Sequence, residues 1–448
     1  MATNSTTIEA LEEYKPHAED GGAAERLALL RDLAETTDLL ASPFGAEVNN
    51  HVHTRYSFSP YSPAAVAYHA RRAGLRVVGS VDHESIGAAG EMKRAAAVVG
   101  MGATVGCEIR VSFAGTAFED RRLNNPDTVG NAYMVLHGVP EPSISALARR
   151  LVPINAARET RNRRQVAKLN AIIRDSLGEI DYDRDVRPLS WAAQGGSVTE
   201  RHILYALAQR VYDVLQKRVV HGRGRRTEET GQFLEDVLGI STGGAVRTRI
   251  GDEDNPHRLY DLLGVFKAEF VPRFFIQPDG TECPPVTEIT AFGRELGAIP
   301  AYAYLGDVGE SPTGDKKAQH FEDAYLDELF AALPALGYRA ITYMPPRNTL
   351  EQLQRVQALA AEHGLMEISG VDINSSRQSF HCPEVLQEEF RHLTESTWAL
   401  VGHEVATSVD ITAGLFLHND RGVPGDLQER IRRFAATGKQ SAPSGEGA

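Results

Sequence analysis

Two histidines two residues apart, in Asn50-His51-Val52-His53-Thr54, close an alternating run that includes Ala46-Glu47-Val48-Asn49. Such alternation predicts a β-strand, and side chains at i and i+2 leave a strand on the same face. His51 and His53 therefore point together, with Val52 opposite. Neutral imidazole nitrogens are good ligands for zinc, iron and manganese, and a strand delivers two of them already aligned. His-x-His alone also describes an ordinary polar strand end, so the remaining chain has to decide between the two.

The elements that would position such a site follow a strand–helix rhythm from Glu47 onward. A helix after the histidine strand has Ser62 as its N-cap, Pro63 at its first position and Gly74 beyond its end. The apolar run 75–81 leads to Asp82-His83, and after a helix closed by Gly100 the run 103–107 leads to Glu108. A fourth strand over 132–136 leads to His137. The rhythm fades between about 140 and 284, where the pattern is helical and rich in arginine. It returns at 297–304, 338–344 and 366–371, the last leading to Asp372. Alternating strands and helices predict a parallel sheet, and the C-terminal strand ends of a parallel α/β barrel converge on one rim where chemistry is built. His51, His53, His83, Glu108, His137 and Asp372 all fall at such ends. Six metal-binding residue types there are hard to reconcile with six solvated strand ends.

The chain divides on this reading into a helical lead-in (1–46), a first barrel part (47–139), a helical insertion or cap (140–284), a second barrel part (285–435) and a disordered tail (436–448). The 448 residues are 42% hydrophobic and 24% charged, which suits a globular protein large enough for a barrel with insertions. The net charge of −13 disfavours non-specific nucleic-acid binding. No signal peptide and no membrane-spanning run are expected. The three cysteines are scattered and match no zinc-knuckle spacing, which points to a reducing cytoplasm.

His51-Val52-His53-Thr54, Val81-Asp82-His83-Glu84, Gly106-Cys107-Glu108 and Ser369-Gly370-Val371-Asp372 together resemble the motifs of the PHP (polymerase and histidinol phosphatase) family. The resemblance spans about 47–139 and 284–375. It implies a distorted (β/α)7 barrel of the α/β class with a mostly helical insertion. The family's members hold manganese, zinc or iron and hydrolyse phosphate esters. Carried over, His51, His53, Glu108 and Asp372 complete a first metal site; Glu108 bridges to a neighbour that His137 also binds, and His83 belongs to the remaining site. Three positions depart from the family. Phe58 stands near an expected Asp or His, Asn374 replaces the histidine of a final Asp-x-His, and Tyr304 replaces the histidine of an Ala-His-Pro-Gly element. One complete site and one partial neighbour, with one or two divalent ions, are therefore expected.

Several residues carry two readings. His83 is either a ligand or a general acid, and Tyr304 could orient substrate through its hydroxyl. Asp82 either buttresses a histidine or caps the next helix. Within Ser197-Val198-Thr199-Glu200-Arg201-His202-Ile203, which resembles an Arg-Pro-His-Ile-Ala element of small PHP phosphatases, Arg201 and His202 are candidate substrate contacts. The plainer reading is a capping box from Ser197 to Glu200. Arg347 and Arg377 lie just past strand ends and are further phosphate candidates, whereas the arginine run 158–164 fits a solvated helix face better. The expectation is a cytoplasmic phosphatase or phosphodiesterase for a small phosphorylated or anionic metabolite. Hydrolysis of a non-phosphate ester or amide, or a metal-containing regulatory module of little activity, are the alternatives.

Overall fold

The computed structural model describes residues 2–12, 21–37, 39–125, 127–217, 223–309, 320–416 and 426–442. Seven strands form one sheet in chain order: β1 (Val48–Val52), β2 (Val77–His83), β3 (Gly102–Ser112), β4 (Asn131–His137), β5 (Ile299–Ala303), β6 (Ala340–Tyr343) and β7 (Met366–Ser369). The run 369–374 continues past β7 to the end of β1. There the His53 N–H donates to the Ile373 carbonyl (2.9 Å) and the Ile373 N–H donates to the His51 carbonyl (3.1 Å). The sheet is thereby a nearly closed barrel, the α/β architecture expected.

The sheet is not wholly parallel. β1–β2–β3 and β5–β6–β7 pair in parallel, while β4 runs antiparallel to both β3 and β5. Among its described residues the 113–130 connection contains no helix to carry the chain back across the sheet, and β4 returns beside β3 directly. His137 therefore ends a strand that points away from the shared rim. β3 also runs to Ser112, so Glu108 lies within the strand and not at its end.

The N-terminal helices Ala2–Leu11 and Ala23–Thr36 precede the barrel. The second is fastened by buried Arg26, which donates to both carboxylate oxygens of Glu91 at 2.9 and 2.6 Å. The insertion is built on the 34-residue helix Ile144–Leu177 and the helices Glu200–Gln216 and Arg258–Glu269. These share an apolar core, with Leu169, Ile173, Leu207, Val211, Phe266 and Phe270 among its members, to which the barrel contributes Phe58.

The helices Arg391–Val409 and Leu427–Ser441 close the opposite end of the barrel. Trp398, Leu400 and Phe434 pack there on Val48, Val77, Ile299, Ala340 and Met366, the residues that start five of the strands. The second of these helices corrects the tail expected from 436: Ala435 and Gly438 are buried within it, and only beyond Ser441 does helix cease. Residues 443–448 lie outside the described residues.

The two closing helices touch through glycine. A Cβ at Gly402 would overlap the Phe434 carbonyl oxygen, and one at Gly438 the Trp398 carbonyl oxygen. Gly402→Ala should therefore force the helices apart and cost about 1–3 kcal/mol, the usual range for overpacking. Chemical denaturation reads this directly; an unchanged midpoint and slope would show that the pair tolerates separation.

Candidate metal centre

His51 and His53 leave β1 into the barrel as the strand period requires, and the turn behind them is built on Asp82. Its buried carboxylate accepts the Thr54 N–H, the Thr54 hydroxyl and the Ser57 hydroxyl, each at 2.6 Å. Because Ser57 gives its proton to Asp82, its oxygen is left to accept from His53 Nδ1, 3.4 Å away. Against burial, Asp372 and Glu108 raise His53 above its ordinary value; once a cation displaced the Nε2 proton, the Ser57 contact would keep the remaining proton on Nδ1, the tautomer of a metal-holding imidazole. Asp82 thus acts on His53 through Ser57.

Register brings the remaining groups together. His83 pairs with Glu108 across β2 and β3, and its Nδ1 is 3.1 Å from Glu108 Oε2. The same carboxylate oxygen is 3.7 Å from Nε2 of His51 and 3.7 Å from Nε2 of His53. Ligand atoms of His51, His53 and Glu108 all lie within 4.8 Å of one another. Asp372, next to the seam residue Ile373, places Oδ1 3.2 Å from His53 Nε2. The His83 ring stacks on His53 at 4.6 Å. His137 shares the interior face with Val135, the register partner of Glu108, and so projects into the barrel one layer deeper. His51 and Glu108 both act on it electrostatically.

The charge states suit a divalent cation. Burial alone would raise Glu108, but His83 and then His51 and His53 hold it down to about 2. Burial, opposed by His53, His51 and Arg201, leaves Asp372 well below the usual carboxylate range. Burial lowers His83 well below its ordinary value despite Glu108, and lowers His137 to about 3. Ionised carboxylates and neutral imidazoles are the forms that bind metals. Nε2 of His137 is fully buried and has no hydrogen-bond partner among the described residues. Orphaned buried nitrogens carry a cost that a bound cation removes. The donor set therefore fits a divalent cation.

The other sequence candidates fall less uniformly. Asn374 Nδ2 donates to Asp372 Oδ1 at 2.6 Å, so its amide holds the neighbouring carboxylate. Phe58 fills its position with an apolar contact, edge-on to His202 at 5.0 Å. Tyr304 points elsewhere: its hydroxyl donates to Asp323 Oδ1 at 2.6 Å. His202 is fully engaged as well. Its Nδ1 accepts from the Thr199 N–H (2.9 Å) and its Nε2 donates to the Ser57 carbonyl (3.1 Å). The capping box thus runs from Thr199 to His202, not from Ser197 to Glu200. Arg377 is committed to Asp261 through Nε (2.7 Å) and Nη2 (2.6 Å), tying the barrel to the insertion. Arg347 anchors only Nε, on the Leu305 carbonyl at 2.9 Å, and Asp372 acts on it electrostatically. Arg201, half-buried at the start of its helix, has no ion-pair or hydrogen-bond partner among the described residues, and its charge acts on both His83 and Asp372.

The arginine run departs most from expectation. Arg158 and Arg161 are buried, and with Arg110 they meet buried Glu84 and Glu282 and the partly buried Glu200. Only Arg163 and Arg164 face solvent. A signal for this was present in the helix phase. Leu147, Leu151, Ile154, Arg158, Arg161, Gln165 and Leu169 continue one stripe at steps of three and four, and all are buried.

No family model matches this chain. A lysine–tRNA ligase from Psychrobacter arcticus is 31% identical over 114 residues, which are 23% of this chain and 22% of that protein, so the chain spans about a fifth of that relative. Among solved structures, a protein from Bifidobacterium adolescentis described as a metal-dependent phosphoesterase overlays at TM-score 0.47 and 18% identity, covering 77% of this chain and 96% of that one. An amidohydrolase from Chromobacterium violaceum, with bound sulfate and no metal, overlays at TM-score 0.48 and 17% identity, covering 76% and 95%. Neither overlay assigns a chemistry to this chain.

The Ser57 relay is open to a direct check. Ser57→Ala removes the acceptor that fixes the His53 tautomer, and should weaken Zn2+ or Mn2+ binding about 10- to 100-fold while the far-ultraviolet dichroism stays native. Competition against a chromophoric chelator measures it. Unchanged affinity would mean that His53 is oriented by something other than Ser57.

Proposed function

We propose that this chain is a PHP-type metal-dependent phosphoesterase, cytoplasmic, acting on a small phosphorylated or anionic metabolite. The observation that carries the reading is the juxtaposition of a buried His–His–Glu set, with the partly buried Asp372 beside it, and two arginines whose guanidinium groups are largely uncommitted. His51, His53, Glu108 and Asp372 would hold a first divalent ion, and His83 and His137 would help hold a neighbour. Such an ion supplies Lewis acidity and lowers the pKa of a bound water toward neutrality.

The protein's own groups provide the rest. Asp82 and Ser57 hold His53 in one tautomer. Asn374 steadies Asp372. His83, kept neutral by burial, suits a ligand better than a proton donor. The Tyr304 hydroxyl is engaged with Asp323. Arg201 stands in the first turn of the helix Glu200–Gln216, where the helix dipole also favours an anion. Its fork and the Nη atoms of Arg347 can take phosphate oxygens in the bidentate manner that guanidinium allows. A carboxylic ester or amide would need no such pair of cations, which is why the phosphate reading is preferred. The three cysteines are free and buried, in keeping with a reducing compartment. Among the described residues no helix is long and apolar enough to cross a membrane.

Purified without chelator, the protein should retain at least one equivalent of a transition metal, and should hydrolyse p-nitrophenyl phosphate faster with added Mn2+. His51→Ala with His53→Ala should remove both the metal and the hydrolysis. Metal-free native protein, or activity surviving that double change, would sink the assignment. Arg201→Ala should raise KM for the phosphate ester about tenfold or more with metal content intact, since a charged hydrogen bond is worth about 1.5–3 kcal/mol. An unchanged KM would remove Arg201 from the phosphate site.

A further inference from the structure

Two groups that act on the centre, His83 on the barrel and Arg201 on the insertion, each have a glutamate beside them in sequence. Glu84 follows His83 and Glu200 precedes Arg201. Both glutamates enter the same buried ion network. Glu84 Oε1 accepts from Arg158 Nη2 at 2.6 Å, and its second oxygen is held by Arg158 Nη1. Glu282 joins the two halves: it accepts from Arg158 Nε at 3.1 Å and from Arg161 Nε and Nη2 at 2.5 and 2.6 Å. Arg161 Nη2 also donates to Glu200. Arg110 braces the middle, 3.5 Å from Glu282 and 3.6 Å from Glu200. An unbroken run of forks, Glu84–Arg158–Glu282–Arg161–Glu200, thus spans the distance between the backbone of His83 and the backbone of Arg201.

The His83 end is gripped more closely than packing requires. Glu84 has φ 41, alone among the described non-glycine residues in taking a positive φ. Its carbonyl accepts from Asn155 Nδ2 at 2.8 Å, and the His83 carbonyl accepts from the Ser197 hydroxyl. Arg158, Asn155 and Ser197 all belong to the insertion, so the insertion holds the strand end that presents His83 in a strained turn. Apolar side chains of the same volume would stabilise such an interface at least as well as buried ion pairs. What planar guanidinium forks add is direction.

We infer that Arg158, Arg161 and Glu282 are positioning residues: their ion network sets His83 against the metal and Arg201 against the phosphate, as two separable arms. The inference rests on the roles proposed above for His83 and Arg201. It predicts a split that general structural damage would not produce. Arg158→Lys keeps the charge but loses the fork on Glu84, and should weaken Mn2+ binding about tenfold, the lower end for lost support of a ligand. Inorganic phosphate binding to the Mn2+-saturated protein should stay within about twofold. Arg161→Lys should do the reverse, weakening phosphate about tenfold and leaving Mn2+ affinity alone. Calorimetric titration of Mn2+, then of phosphate, into the full chain reads both, with thermal denaturation recorded alongside. Should either lysine variant fail to fold, Glu84→Gln and Glu200→Gln are the matched pair, isosteric and expected to split the same way. Folded variants that shift both affinities together, or neither, overturn the inference while the wild type still binds Mn2+. A wild type that binds no Mn2+ overturns the metal reading, and this inference with it.

Discussion

Two backbone hydrogen bonds at the seam, between Ile373 and the residues His51 and His53, govern where everything else in the centre lies. They fix β1 against the segment that follows β7, and so fix Asp372 against His53. On the other side, the parallel register of β1, β2 and β3 brings His83 level with Glu108. A slip of one residue in any of these pairings would turn a ligand from the interior to the outside, because the side-chain period of a strand is two. The centre is therefore specified by backbone pairing before any side chain touches another.

That dependence explains what the sequence disclosed. The seven strands were legible because each is a short apolar run bounded by turn residues, and the ligand types at their ends stood out against that background. The Ser62 cap was legible for the same local reason, and its hydroxyl does accept the Ala65 N–H. Strand direction was less accessible. It depended on the missing helix between β3 and β4, an absence that a search for positive patterns passes over. Tyr304 and His202 stood out as candidate contacts because residue type says what a side chain could do and not what already occupies it. Asp323 and the capping box had taken them. The arginine run was misjudged on composition: its phase along the helix placed Arg158 and Arg161 inside, and phase was the better guide.

The charge distribution shows why these two buried polar regions differ in kind. In the network three guanidinium groups, of Arg110, Arg158 and Arg161, stand against three carboxylates, of Glu84, Glu200 and Glu282, and the formal sum is zero. Its carboxylates are all held by guanidinium groups, while the buried Arg110 Nε has no hydrogen-bond partner among the described residues. In the centre the carboxylates of Glu108 and Asp372 stand beside His83 and His137, which burial keeps neutral. Glu108 is buried and Asp372 partly so; against burial the two raise His53 above its ordinary value, and Arg201 and Arg347 act electrostatically with Asp372. Ionised groups held in a low dielectric without equal and opposite partners are costly. A divalent cation cancels that charge, and an arriving anion can then be shared between the cation and the two arginines. The negative charge of Glu108 and Asp372 is thus what makes the centre specific, first for a cation and then for an anion.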